Sequence, residues 1–263
     1  MKYLVDYHVH TDNSFDGKVS MAEQCEKAIE IGLKEIVFTE HYDLNPNDKS
    51  KGFFNYEKYS REIEECRQKY GDKLIIKKGL ELGEPHLYTA EHDAFIKDRD
   101  FDFLLGSVHF LDDILLDADF GLPEKELYLK YFSEILELAK TGEFHTLGHI
   151  DVLKRYVPPH FKKFLAINYE EIIREILTTT IKRGKGIEIN TSGFRQGLGE
   201  PLPAVEILEW FYELGGEVIT IGSDAHHSKD LGQDLERGIN VLRDVGFKAI
   251  STFSQGKINF IDI

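Results

Sequence analysis

Hydrophobic positions along this chain follow two rhythms that alternate from one end to the other. Compact runs rich in Val, Ile, Leu and Phe, roughly four to eight residues long, read as buried strands, and stretches with an apolar residue every third or fourth position read as amphipathic helices. The strand-like runs lie at residues 3–7, 35–39, 74–80, 101–108, 144–148, 186–189 and 218–222, with an eighth short run at 249–253 placed to pair at an edge. The first helical pattern opens on the capping box Ser20-Met21-Ala22-Glu23 and stops at Gly32. Others follow at 56–70, 87–97, 123–140, 169–183, 204–214 and 231–245. Strands alternating with helices imply right-handed crossovers and a parallel sheet. Seven such units closing on themselves predict an α/β fold, a distorted (β/α)7 TIM-like barrel. The 263 residues match the size of one barrel, and no repeat or linker divides them, so a single domain over 1–263 is expected.

Where each strand run ends, an unusual polar residue stands. His8 and His10 end the first, Glu40 and His41 the second, Glu81 the third and His109 the fourth. His149 ends the fifth, Glu188 and Asn190 the sixth, and Asp224 with His226 the seventh. In a parallel barrel all these ends meet on one face, where catalytic groups sit. His8 and His10, two apart on a strand, point to one side about 6 to 7 Å apart along the chain and can reach one ion. A histidine taken singly more often caps or packs; the conjunction of all of them at strand ends is what points to metal. Neutral imidazoles suit Zn²⁺, Fe²⁺ or Mn²⁺, and carboxylates supply charge and bridge ions. The six histidines with Asp16, Glu81 and Asp224 are enough for three divalent ions.

The charge balance gives this reading a purpose. At a net −15 the chain is a poor partner for nucleic acid, which calls for a basic patch. An acidic protein that binds phosphate needs a local source of positive charge. Three divalent ions against three carboxylates leave such a surplus. No uncharged apolar run approaches the roughly 18 residues of a membrane span, and the first residues lack the apolar stretch of a signal peptide, so a cytoplasmic protein without a membrane partner is expected. Cys25 and Cys66 fall on the apolar faces of helices and read as small core residues.

Taken in order, His8-Val9-His10-Thr11, Asp16, Thr39-Glu40-His41, Gly79-Leu80-Glu81, Ser107-Val108-His109, Gly148-His149-Ile150-Asp151 and Ser223-Asp224-Ala225-His226 resemble the successive motifs of the polymerase-and-histidinol-phosphatase (PHP) superfamily. Within it, Phe38-Thr39-Glu40-His41, Arg155-Tyr156 and Glu188-Ile189-Asn190-Thr191 are similar to the stand-alone histidinol-phosphate phosphatases. Many superfamily members have histidine where this chain has Asp16; the histidinol phosphatases share the aspartate. The resemblance implies a trinuclear centre. His8, His10, Glu81 and Asp224 would hold one ion, Glu81 would bridge to a second with His109 and His149, and Asp16, His41 and His226 would hold a third. It also implies hydrolysis of a small phosphorylated metabolite, L-histidinol phosphate. Arg155 and Arg195, a few residues beyond strand ends, are the candidates for binding the phosphate, with Lys154 a lesser one. Asp16 and His226 are expected near the leaving alkoxide. Glu40, Tyr42 and Glu84 are placed to meet an amine or imidazole, and the stretches 43–55 and 155–166 to shape the pocket. His145 sits at a strand start, away from the mouth. Another phosphate monoester as substrate and a non-catalytic metal-bound module stay open as alternatives, and the oligomeric state is left open.

Overall fold

The computed structural model describes residues 3–158, 160–161 and 163–263. Strands β1 (Val5–Val9), β2 (Glu35–Tyr42), β3 (Ile75–Gly83) and β4 (Phe103–Ser107) are separated by α1 (Met21–Ile31), α2 (Tyr56–Tyr70) and α3 (Thr89–Ile96). A small hairpin of β5 (Phe110–Leu111) and β6 (Ile114–Leu115) precedes α4 (Glu124–Thr141), β7 (Thr146–Leu147) and α5 (Glu170–Lys182). Then come β8 (Gly186–Asn190), the single turn α6 (Ser192–Arg195), α7 (Val205–Glu213), β9 (Ile219–Gly222), α8 (Leu235–Val245) and the hairpin β10 (Ala249–Ser254)–β11 (Lys257–Asp262).

Local chemistry sets the helix ends. The Ser20 hydroxyl accepts from the Glu23 amide at 3.2 Å and Gly32 closes α1 with φ 80°. Asn55 caps α2 in the same way, accepting from the Lys58 amide at 2.9 Å. Both helices lay one stripe on the sheet: Met21, Gln24, Cys25 and Ala28 from α1, and Tyr59, Ile63, Cys66 and Tyr70 from α2. The cysteines are free and buried there, as core residues.

Seven parallel strands run in the order β1-β2-β3-β4-β7-β8-β9, and the sheet curls until its two edges touch. The seam is short: Val9 bridges Ala225, the Asp224 amide donates to His8 O at 2.8 Å, and the His10 amide donates to Ala225 O at 2.9 Å. It lies only at the C-terminal ends of the strands. A bulge in β1 serves the interior. Asp6 pairs with Ile36 but Val9 with Phe38, so β1 carries one extra residue between them. Tyr7 and His8, neighbours in sequence, thereby both face inward. Tyr7 packs on Phe103 toward the floor and His8 meets Glu81 and Glu188 toward the mouth.

Three features depart from the sequence pattern. The run 249–253 is no eighth strand of the sheet; β10 pairs antiparallel with β11, and its tip seals the barrel floor. Phe253 stacks against His145 and Phe103 at 5.0 and 5.1 Å, its amide donates to the Tyr7 hydroxyl at 2.7 Å, and its carbonyl accepts from Lys77. The β5–β6 hairpin was not anticipated. Its turn residues Asp112 and Asp113 both have positive φ, the conformation usually signalled by Asn-Gly or Asp-Gly, and Asp-Asp does not announce it. Helix α8 begins at Leu235 and not at 231, because Gly232 and Asp234 adopt positive φ and break the turn.

Candidate metal centre

Glu81, near the end of β3, is 1% exposed and surrounded by imidazoles. Its Oε2 lies 3.1 Å from His8 Nε2, 3.3 Å from His41 Nδ1 and 3.4 Å from His10 Nε2. Its Oε1 lies 3.0 Å from His149 Nε2 and 3.2 Å from His109 Nε2, and accepts from the Ser107 hydroxyl at 2.7 Å. Five histidines from four strand ends thus converge on one carboxylate. Asp224 Oδ1 is 3.8 Å from His8 Nε2, 3.9 Å from His10 Nε2 and 3.5 Å from His226 Nδ1. Asp16 Oδ2 completes the outer side, 3.2 Å from His226 Nε2 and 3.6 Å from His41 Nε2. All nine residues singled out as ligand candidates therefore sit in one cluster. Its donor atoms form four overlapping triads, His8–Glu81–His149, His8–His10–Asp224, His41–Glu81–His109 and His10–His41–His226.

The supporting residues show why the rim has this composition. Glu188 holds His8 from behind, with Oε1 2.7 Å from His8 Nδ1, while its Oε2 accepts from the His149 amide at 2.9 Å. The contact needs glycine at 222. A Cβ there would lie 2.3 Å from His8 Cβ and 2.7 Å from Glu188 Oε1. Asp43 stands behind two more imidazoles, 3.5 Å from His41 Nδ1 and 3.6 Å from His109 Nδ1, and accepts from the Ser50 hydroxyl at 2.7 Å. Such carboxylates orient the rings of metal-binding histidines. Asp43 was not read as a site residue, since it lies beyond the last strand-end motif of β2 and only the fold turns it back toward His109.

Buried charge defines what the cluster can hold. Burial works against ionising Glu81, yet His8, His109 and His41 hold its pKa well below the usual carboxylate range. Asp224 is likewise held far down against burial by His8, His226 and Arg155, and Asp16 by its bonds to His226 and His41. The carboxylates draw protons in return. Burial lowers His41, but Glu81, Asp16 and Asp43 outweigh it and take it to about 10; His8 and His109 go well up for the same kind of reason. His10 goes the other way, pushed well down by burial and by His226, His41 and His8. Ionised carboxylates that pull protons onto neighbouring imidazoles are a sink for cations. Among the described residues, His10 Nε2 and His41 Nδ1 are buried with no hydrogen-bond partner. The nitrogen and carboxylate donors fit zinc, iron or manganese.

The cluster opens on a cavity of about 400 Å³. The segment 43–50, the β5–β6 hairpin and Arg155 with Tyr156 wall it, as expected for both loop stretches; Pro159 and Lys162 of the second lie outside the described residues. Arg155 reaches in from one side. One of its terminal nitrogens donates to the Ser192 hydroxyl at 2.5 Å, the other is 3.8 Å from Asp224 Oδ2, and its buried Nε has no partner among the described residues. Arg195 is used differently from the phosphate contact expected of it. It does not line the cavity, and its guanidinium donates to the carbonyls of Ser223 and Asp224 at 2.6 and 2.8 Å. It thereby clamps the backbone of Asp224, a residue at φ 56°. Lys154 also turns away, into a buried pair with Asp151 at 2.8 Å.

The residues expected to greet an amine or imidazole have structural duties instead. Glu40 is buried and accepts from the Thr11 and Ser14 hydroxyls at 2.6 Å, bracing the loop after His10. Glu84 is buried and accepts from the His109 amide at 2.6 Å, and Tyr42 stacks on Phe95 with ring centres 4.0 Å apart. His145 is remote from the mouth, as read from the sequence, packed on Phe253 at the floor.

Comparison with known proteins gives a consistent picture. Residues 6–192 match the PHP domain profile. The chain is 33% identical over 264 residues to a histidinol-phosphatase of Lactococcus lactis, covering 98% of this chain and 97% of that protein. It is 31% identical over 248 residues to a probable histidinol-phosphatase of Thermotoga maritima, covering 94% and 95%. A crystal structure of histidinol phosphate phosphatase from Lactococcus lactis, complexed with zinc, L-histidinol and phosphate, superposes with a TM-score of 0.90 at 31% identity, over 97% of this chain and 98% of that one.

Proposed function

The chain belongs to the PHP domain family, and from that premise we propose that it hydrolyses L-histidinol phosphate to L-histidinol and phosphate, with three divalent ions (zinc, iron or manganese) at the barrel mouth. The observation that carries the proposal is the convergence of five imidazoles on the buried Glu81 carboxylate. The assignment of His8, His10, Glu81 and Asp224 to one ion, of Glu81, His109 and His149 to a second, and of Asp16, His41 and His226 to a third is part of the same proposal. Ions so bound make hydroxide available at neutral pH and neutralise phosphoryl oxygens. The chain's own residues do the rest. Arg155, which lines the cavity and whose buried Nε has no partner among the described residues, binds the phosphate and fixes its orientation. Asp16 and His226, 3.2 Å apart on the cavity wall, would hold the third ion on the side where the departing alkoxide is protonated by solvent. Asp43, Asp48 and Asp117 line the same cavity and give it an acidic side suited to a cationic alcohol such as histidinol.

The relatives named above support the substrate, since both carry histidinol-phosphatase in their names and the Lactococcus lactis structure holds L-histidinol with phosphate. Among the described residues no helix is long and apolar enough to cross a membrane; placement in the cytoplasm belongs to the proposal, in keeping with two free cysteines. The deciding experiment is phosphate release by metal-replete protein from histidinol phosphate and from a panel of nucleotides, sugar phosphates and phosphotyrosine. A preference for histidinol phosphate of at least about a hundredfold in kcat/KM is expected. A flat panel, or a preference for nucleotides, would reassign the substrate.

A further inference from the structure

A lysine inside the barrel wall has no share in the scheme so far. Lys154 lies in the 3₁₀ turn Val152–Arg155, one residue before the arginine that enters the cavity, and its side chain is 3% exposed. Its ammonium sits between two carboxylates, 2.8 Å from Asp151 Oδ2 and 3.0 Å from Glu200 Oε1, and donates to Pro201 O at 3.3 Å. The same Asp151 oxygen accepts from the Ala204 amide at 2.8 Å. Asp151 and Lys154 thus bind the turn to the segment 200–204. The next residue, Arg155, bonds to Ser192, in the segment that pairs with 200–202 through the Asn190–Leu202 bridge.

A 3₁₀ turn has poorer hydrogen-bond geometry than an α-helix and holds its shape weakly by itself. This one is held by i→i+3 bonds such as Lys154 N to Asp151 O at 3.1 Å and Tyr156 N to Leu153 O at 2.9 Å. A buried charge is costly unless it is paired and fully bonded, and pairing of that quality specifies one arrangement. Adjacent residues anchored to two segments that themselves pair through Asn190 and Leu202, Lys154 to Glu200 and Arg155 to Ser192, leave the guanidinium little freedom. We propose that Lys154, locked between Asp151 and Glu200, is a positioning residue that pre-sets the Arg155 guanidinium to receive the phosphate group. It touches no substrate and acts through Arg155. The inference rests on the phosphate-binding part of the proposed function and not on the identity of the alcohol.

Its test measures binding of inorganic phosphate to the metal-loaded full-length protein by calorimetry, beside metal content, melting temperature and the kinetics of histidinol phosphate. Lys154→Met is expected to weaken phosphate about tenfold and to raise KM by a similar factor, with kcat within about threefold and metal content unchanged. Lys154→Arg should restore most of the affinity. Glu200→Gln keeps the Lys154–Asp151 pair and covers the case in which Lys154→Met does not fold; a loss of about threefold is expected there. Unchanged phosphate affinity in Glu200→Gln or in a folded Lys154→Met, or a loss that merely tracks lost metal, overturns the proposal. If the wild type binds phosphate yet leaves histidinol phosphate intact, the substrate assignment falls, while the ratio between variant and wild type still decides this one.

Discussion

Glu81 and His145 show how one barrel uses polar residues at its two ends. Glu81 meets five imidazoles, so its negative charge would be shared between two of the proposed ions. Glu81→Gln keeps the shape and removes the charge. The expected result is loss of bound metal by elemental analysis and a fall in kcat of at least about a thousandfold, with circular dichroism unchanged. At the floor, His145 Nδ1 accepts from the Leu104 amide at 2.8 Å, and burial together with the Lys185 ammonium pushes its pKa down to about 4. Above pH 6.5 the ring is neutral folded or unfolded, and its contribution is fully present. Between 6.5 and about 4 the unfolded chain takes a proton that the folded chain refuses, so stability falls as pH falls. His92, lowered by burial to about 4, acts in the same direction. In urea titrations across this window, His145→Gln should flatten the decline relative to wild type, by up to about 1.4 kcal/mol per pH unit. Parallel curves for the two proteins would remove His145 from the account.

At the scale of elements, the β10–β11 hairpin closes what the parallel strands leave open. Phe253→Ala removes a ring that packs on Tyr7, Phe103 and His145, and should cost about 3–5 kcal/mol in chemical denaturation while KM stays at the wild-type value. A cost below about 1 kcal/mol would mean that the floor is sealed by other contacts. The hairpin also marks the limit of what the sequence pattern reveals. Compact apolar runs located all seven parallel strands, and the capping box at Ser20 located the start of α1, because both signals are local. Where the run 249–253 packs depends on Lys77 and Tyr7, 176 and 246 residues from Phe253, and no local signal carries that. The site divides in the same way. Strand-end histidines and carboxylates were legible because barrel topology gathers strand ends. The duties of Glu40, Glu84, Asp43 and Arg195 were not, since a carboxylate at the mouth looks alike in sequence whether it faces a ligand or a backbone amide.

At the scale of the molecule, an acidic chain that takes a phosphate needs foreign cations to make its site positive. Chelation with EDTA should abolish turnover, and adding back zinc or manganese should restore it. It should also lower the melting temperature, because ions bound only by the folded state stabilise it by mass action. Undiminished activity in chelated protein of verified metal content near zero would contradict the centre altogether. The location of the barrel seam gives this dependence a mechanical side. The two edges of the sheet are stitched through His8, His10, Asp224 and Ala225, the residues that frame the ion cluster. Ion loading and ring closure therefore ought to be one event, observable as slower deuterium uptake at the His10 and Asp224 amides once metal is supplied. A cell short of metal would then hold a looser, more easily proteolysed hoop in place of an intact but idle enzyme.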